Sequence, residues 1–434
     1  MKHKKLVSIH INDQTGFYRV RMVNMPHKAR VLCLKNDSEI NREMKLIDTE
    51  DAGARHMLPK AQHYLVKLEK VRRPIVHILK EAFLSSGGDA AISRNVITAK
   101  ITDSDVILMG TRKQFQYVLR SLLEQGFGCK ELAVEIESAI RHFDSTPNVP
   151  TSELAMDHRL AEMFTQIGSR TLVMGILNIT PDSFSDGGKY ADTDAIVEAA
   201  LRMVEDGADI IDIGGESTRP GSDAVSTHDE IERVVPAIRK IAPQIKVPIS
   251  IDTYKAEVAA AALDAGAFIV NDISGATFDV SMPHMLAERR CPVVIMHIKG
   301  SPKNMQTNPE YDDLLGEVHS FLRKQMRTLV DAGVDERAII IDPGFGFGKT
   351  VAHNLELLRR LREFTSTGRP ILVGTSRKST VGQTLGGLPP NDRVEGTAAT
   401  VAISIANGAD IVRVHDVKEM ARVAKMSDAI VRGR

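Results

Sequence analysis

From about residue 171 onward, short uninterrupted apolar runs alternate with alanine-rich amphipathic stretches. Eight runs follow in order: Leu172–Ile179, Asp209–Ile213, Pro248–Ile251, Phe268–Val270, Pro292–Met296, Ala338–Ile341, Ile371–Val373 and Ile411–Val414. Continuous apolar runs this short predict parallel strands buried on both faces. Gly207-Ala208, Gly266-Ala267 and Gly408-Ala409 each close a helical stretch just before a strand, and glycine suits the left-handed position past a helix C-terminus. Eight such units in roughly 260 residues predict an α/β fold, a (β/α)8 TIM barrel. A doubly wound sheet is the structural runner-up, but no glycine-rich dinucleotide fingerprint follows the first strand.

Upstream the pattern changes. Leu6–Ile11 and Phe17–Val23 alternate like strands, and Val106–Met109 reads as another. Gln62–Lys70 and Ile75–Leu84 are read as helices on either side of Pro74, which should separate them. Thr111 is placed to cap a helix ending near Gly126, and Glu131–Phe143 has the spacing of an amphipathic helix. Ser86-Gly-Gly-Asp89 is read as a helix stop rather than a phosphate cradle. The polar segment Asp144–Ser152, with two prolines, is the predicted linker. The expected division is a small α+β domain over residues 1–150, of accessory role, and a barrel domain over residues 151–434. Leu154, Leu160, Met163, Phe164 and Ile167 are helically spaced and predict a helix covering the barrel floor.

Lys+Arg and Asp+Glu balance at 56 each, which removes the general electrostatic reason to expect nucleic acid or membrane partners. An anion site must then be local. Cys33, Cys129 and Cys291 are odd in number and widely spaced, so a reducing cytoplasm is expected. The apolar run after Met1–Lys5 is broken by His10, Asn12 and Asp13, and no signal peptide or membrane span is expected from it.

Catalytic residues of such a barrel lie at the C-terminal ends of its strands. Reading those ends gives Asn178 to Gly188, Gly214 to Gly221, Asp252-Thr253, Asn271-Asp272, His297, Asp342-Pro-Gly-Phe-Gly-Phe-Gly348, Ser376-Arg-Lys-Ser379 and Arg413-Val-His415. Polar groups end all eight strands, where chance would supply one or two.

This ordered set resembles the motifs of the dihydropteroate synthase family over residues 171–434. The resemblance implies that the amine of 4-aminobenzoate displaces pyrophosphate from 6-hydroxymethyl-7,8-dihydropterin diphosphate, a step of folate biosynthesis inhibited by sulfonamides. It implies a pterin held by Asp252, Asn271, Asp342 and Lys378, residue types that match a donor–acceptor edge. Arg413 and His415 would hold the diphosphate with Asn178, and Asn178 would contact Mg2+, which takes few protein ligands. Phe184, Thr218, Pro220, Phe347 and Ser379 would build the 4-aminobenzoate pocket. Asp186 and Arg219, on the two lid loops, join Lys378 as the implied catalytic residues. The expected partners are these small molecules, in a homodimer. The rival reading within the fold is a pterin-binding methyltransferase that passes a methyl group from methyltetrahydrofolate to a corrinoid protein. It leaves the lid loops, Ser376-Arg-Lys378 and Arg413-Val-His415 without a purpose. A catalytically dead barrel would be expected to have eroded those motifs.

Overall fold

The computed structural model describes residues 9–11, 18–20, 29–34, 36–150, 157–179, 193–217 and 221–433. They divide into two units, Met1–Lys130 and Glu131–Arg434. The division falls upstream of the polar segment 144–152, at the start of the helix Cys129–Asp144.

In the first unit β1 (Ile9–Ile11) pairs antiparallel with β2 (Tyr18–Val20). β3 (His63–Arg72), β4 (Asp89–Ile92) and β5 (Asp103–Thr111) form an antiparallel sheet with β5 in the middle. Gln62–Lys70 was expected to be helical; the structure makes it most of β3. Its buried positions Tyr64, Leu68 and Val71 follow the two-residue period of a pleated strand with a register shift between Leu68 and Val71. Pro74 therefore sits in the first turn of the helix Arg73–Ser85, where its missing N–H costs nothing. Thr111 caps Arg112–Leu123 with a full capping box closed by Gln114. The glycine pair ends a helix: Gly87 has φ +79° and Gly88 N donates to Phe83 O at 2.9 Å.

The second unit is built from β6 (Leu172–Asn178), β7 (Ile210–Gly214), β8 (Ile249–Asp252), β9 (Ile269–Asp272), β10 (Val293–Met296), β11 (Ile339–Asp342), β12 (Leu372–Val373) and β13 (Ile411–Val414). All pair in parallel in the order β11-β10-β9-β8-β7-β6-β13-β12, and a bridge between Ile341 and Ile371 closes the ring. Gly207, Gly266 and Gly408 have φ of +104°, +117° and +97°, as the recurring turn requires. Outward-facing residues such as Ile211, Ile251, Ile295 and Val412 pack beneath the helical shell. The helix His158–Gln166 closes the floor: Leu160, Met163 and Phe164 cluster with the inward residues Met174, Ile210, Ile269, Val294, Ile340, Leu372 and Ile411. No described helix is long and apolar enough to cross a membrane.

Candidate active site

Strand register sets the first row of the site. Asn178, Gly214, Asp252 and Asn271 are cross-strand neighbours on four successive strands. Asp342 ends β11 opposite Met296, the last residue of β10, and Arg413 lies inside β13.

One guanidinium joins this row. Arg413 donates from Nε to Asp212 Oδ2 and from Nη2 to Asp252 Oδ2, both at 2.6 Å, and Asn271 Nδ2 donates to the same Asp212 oxygen at 3.0 Å. Asp212 and Asp252 are buried, yet among the described residues Asp212 Oδ1, Asp252 Oδ1 and Ser250 Oγ, on the same strand as Asp252, have no hydrogen-bond partner. An unmet buried acceptor costs about 1–3 kcal/mol. Two such acceptors in one cluster can take hydrogen bonds from a ligand rich in N–H groups. Burial pushes the Asp252 carboxyl up to about 7, against the pull of Arg413 and with a push from Asp212. Burial and the two carboxylates act in opposite senses on the guanidinium, and its pKa ends above the ordinary arginine value.

Across from this row, burial pushes Asp342 up while Lys378 pulls it down, and its Oδ1 accepts from Gly344 N at 2.7 Å. Lys378 is half-buried; its Nζ donates to Phe345 O and lies 4.4 Å from the centre of the Phe347 ring. Burial pulls its ammonium down to about 8, with Asp342 opposing. His415 N and Nδ1 each lie 3.1 Å from Ser376 Oγ. Arg377, between Ser376 and Lys378, turns away: at φ +57° it pairs with Asp416, and so ties the loop after β12 to the loop after β13. Ser379 is exposed and opens the helix Ser379–Thr384. Asp272, neighbour of Asn271, is spent on its own turn, accepting from Ser274 N and Ala276 N at 2.7 and 2.9 Å. Phe184, Asp186, Thr218, Arg219 and Pro220 lie outside the described residues.

A family model described as pterin binding enzyme matches residues 174–415, more than half of the chain. The chain belongs to the dihydropteroate synthase family. A dihydropteroate synthase from Synechocystis is 51% identical over 265 residues, covering 61% of this chain and 92% of that one. The crystal structure of the Clostridium difficile dihydropteroate synthase, determined in the presence of pteroic acid, is 47% identical. It superposes with a TM-score of 0.58 and covers 61% of this chain and 98% of that chain. The family is one of transferases of folate biosynthesis, and the barrel carries this likeness. A further relative, from Halobacterium salinarum, is named a probable bifunctional folylpolyglutamate synthase/dihydropteroate synthase. It is 40% identical over 380 residues, 87% of this chain and 44% of that one. That alignment is longer than the second unit, so it reaches into the first, part of which is accordingly shared with at least one relative.

Within the dihydropteroate synthase barrel the sequence reading missed Asp212, whose signal was a carboxylate inside the apolar run Ile210-Ile-Asp-Ile213. It also missed a buried ionic cluster at the root of the loop after β7. Glu216 accepts from Lys255 Nζ at 2.6 Å, from Tyr254 Oη at 2.9 Å and from Val225 N at 3.1 Å. Lys255 also donates to Glu230 at 2.5 Å, a glutamate whose side chain is 1% exposed. Burial pushes the Glu230 carboxyl up while Lys255 holds it down. Tyr254 and Lys255 follow Asp252 and Thr253, so the cluster links the loop stem to the strand that ends in Asp252. Lys255→Met should leave two buried carboxylates without their cation, a loss of about 3–5 kcal/mol. Urea unfolding followed by circular dichroism should show the midpoint move down by that equivalent; an unmoved midpoint would mean the cluster is not structural.

Proposed function

We propose that this chain forms 7,8-dihydropteroate and pyrophosphate from 6-hydroxymethyl-7,8-dihydropterin diphosphate and 4-aminobenzoate, with the residue roles that follow. The observation that carries the roles is the Arg413 bridge: two buried carboxylates are held by one cation, and among the described residues each keeps an oxygen without a partner. The pterin N–H groups supply the missing donors, and Asn271, Asp342 and Lys378 complete the edge. The amine nitrogen attacks the exocyclic methylene carbon, the carbon–oxygen bond to the diphosphate breaks, and pyrophosphate leaves with the electron pair. The amine then gives a proton to solvent. Positive charge gathers on the pterin as pyrophosphate departs, and Asp252 and Asp342 lie where it is stabilised. Arg413 and His415 bind the diphosphate, and Ser379, Phe347, Phe184, Thr218 and Pro220 bind 4-aminobenzoate. Asp186 and Arg219 close over both substrates.

Asn178 holds Mg2+ in this reading. Among the described residues no cluster of three metal-ligating side chains exists, but a magnesium carried in on a diphosphate needs only one or two protein oxygens. Gly214 leaves room for it: a side chain there would lie 3.7 Å from Asn178 Oδ1 and 3.7 Å from Asp252 Oδ2. The bound ion would neutralise charge on the leaving pyrophosphate. We also place the enzyme in the cytoplasm as a homodimer; Cys291 is a buried thiol and Cys33 an exposed one, in keeping with a reducing compartment.

The purified chain should release pyrophosphate and form dihydropteroate, lose turnover on chelation and regain it with Mg2+. Sulfonamides should compete with 4-aminobenzoate. Methyl transfer from methyltetrahydrofolate to a corrinoid acceptor, without a pteroate product, would replace this reading.

A further inference from the structure

Lys349 is 2% exposed, one of the largest fully buried side chains of the chain. It follows Gly348 at the end of the loop after β11, where a lysine is ordinarily solvated. Its Nζ lies 2.9 Å from Gly344 O, 3.2 Å from Phe347 O and 2.9 Å from His297 Nδ1. An ammonium has three N–H donors and no acceptor, and here it meets three neutral acceptors. His297, itself buried, has its pKa pulled down to about 2 by burial, with Lys349 adding to the effect. The imidazole is then neutral, and beside an ammonium its Nδ1 must be the acceptor, which puts the proton on Nε2. Burial pulls Lys349 down toward about 7, while the Asp342 carboxylate nearby holds it up.

The two carbonyls it grips belong to the turn that aims the proposed pterin-binding groups. Gly344 N donates to Asp342 Oδ1. Phe345 O receives the Lys378 ammonium, and the Phe347 ring stacks on it. The turn has no slack: Gly344 has φ +73°, and a Cβ there would lie 1.8 Å from His297 O. Asn354 grips the same turn from outside, accepting from Gly346 N at 2.7 Å and donating to Lys349 O at 3.3 Å.

We propose that Lys349 is a positioning residue: its buried ammonium, bound to Gly344 O, Phe347 O and neutral His297, fixes the turn that orients Asp342 and Lys378 on the pterin. The inference rests on the proposed roles of Asp342 and Lys378. It assigns a function to a buried cation that touches no substrate.

The test uses the full-length protein with Lys349→Met, a side chain of similar length. A folded variant, by circular dichroism and a cooperative melt, should lose roughly 100-fold in kcat/KM for the pterin diphosphate, the scale of one or two unmet buried groups. Calorimetry with a bare pterin analogue should show a matching loss, while KM for 4-aminobenzoate, to whose pocket this turn gives Phe347 alone, should rise by much less, about threefold. Unchanged kinetics, or a loss shared equally by both substrates, would overturn the proposal. If Lys349→Met does not fold, His297→Leu, which removes one of the three acceptors, is judged by the same split. In the wild-type protein, nitrogen NMR below neutral pH should find His297 Nδ1 unprotonated and accepting; a proton on Nδ1 would make Lys349 the acceptor and overturn the ammonium assignment. Wild-type turnover in the same assay checks the functional reading separately, because the variants are scored against it.

Discussion

Arg413→Ala should lower kcat/KM for the pterin diphosphate by about 10²- to 10⁴-fold, the range that follows from breaking a buried ion pair at roughly 3–5 kcal/mol. The size comes from what the guanidinium leaves behind. Asp212 is 0% exposed at its side chain and Asp252 7%, and both lose the guanidinium that donates to their Oδ2 atoms. Two buried carboxylates side by side cannot both stay ionised, so at least one takes up a proton. Asp252, already pushed up to about 7, would rise further. A protonated carboxyl turns one acceptor into a donor, facing the pterin N–H groups with the wrong sign.

The pH dependence follows from the same shift. An acid whose folded pKa is raised from 3.8 to about 7 favours the folded state below the unfolded value. That contribution is lost as pH rises through the folded value. The variant, whose Asp252 value lies higher still, should therefore fall increasingly behind wild type in melting temperature as pH rises above about 7. Calorimetry with a bare pterin analogue decides what Arg413 does. Weakened binding of the bare pterin would mean that Arg413 maintains the pterin acceptors. A loss confined to the diphosphate substrate would assign it to the phosphates alone.

The barrel was legible because its strands are buried on both faces and so are spelled as unbroken apolar runs. The structural strands start and end within about two residues of those runs, a usual boundary uncertainty. The polar residue at each strand end was legible for the same reason: it interrupts a run that has no other cause to stop. Partnerships were not. Asp212 meets residues 59 and 201 positions away, and no local pattern shows that Arg413 spans two carboxylates. Lys349 follows three glycines in a loop, and only the closed turn reveals that it is buried. The error at Gln62–Lys70 has a different origin. Leu65 is 68% exposed, an apolar residue on the open face of β3, and it filled in the alternation that would have identified a strand.

A chain that begins at Thr171, lacking the floor helix, should fail to give soluble folded barrel, whereas one that begins at Glu131 should fold and turn over. The helix His158–Gln166 buries Leu160, Met163 and Phe164 against inward side chains from seven strands. Asp157 caps it through Arg159 N at 2.8 Å, and Arg159 adds a hydrogen bond to Ala242 O at 3.3 Å and lies over the Phe268 ring. Without the helix, the apolar ends of those strands would face water as one continuous patch, a surface prone to aggregation. Phe164→Ala in the full chain should already cost about 3–5 kcal/mol, as large-to-small changes at buried aromatic sites do. Phe164→Asp should cost more, because an unpaired carboxylate would be placed in the same apolar floor. The residues before Glu131 carry no such burden for the chemistry: every described residue assigned to substrate lies in the second unit. Starting at Glu131 keeps the helix Cys129–Asp144 from its third residue on, and with it the Glu135 pair with Arg323 at 3.1 Å and the Arg362 contact over Phe143 at 4.9 Å. The chain from Glu131 should hold kcat/KM within roughly tenfold of full length, about 1.4 kcal/mol. If it melts cooperatively with native circular dichroism yet loses several orders of magnitude in turnover, the first unit supplies part of the catalytic machinery, and the barrel alone does not account for the enzyme.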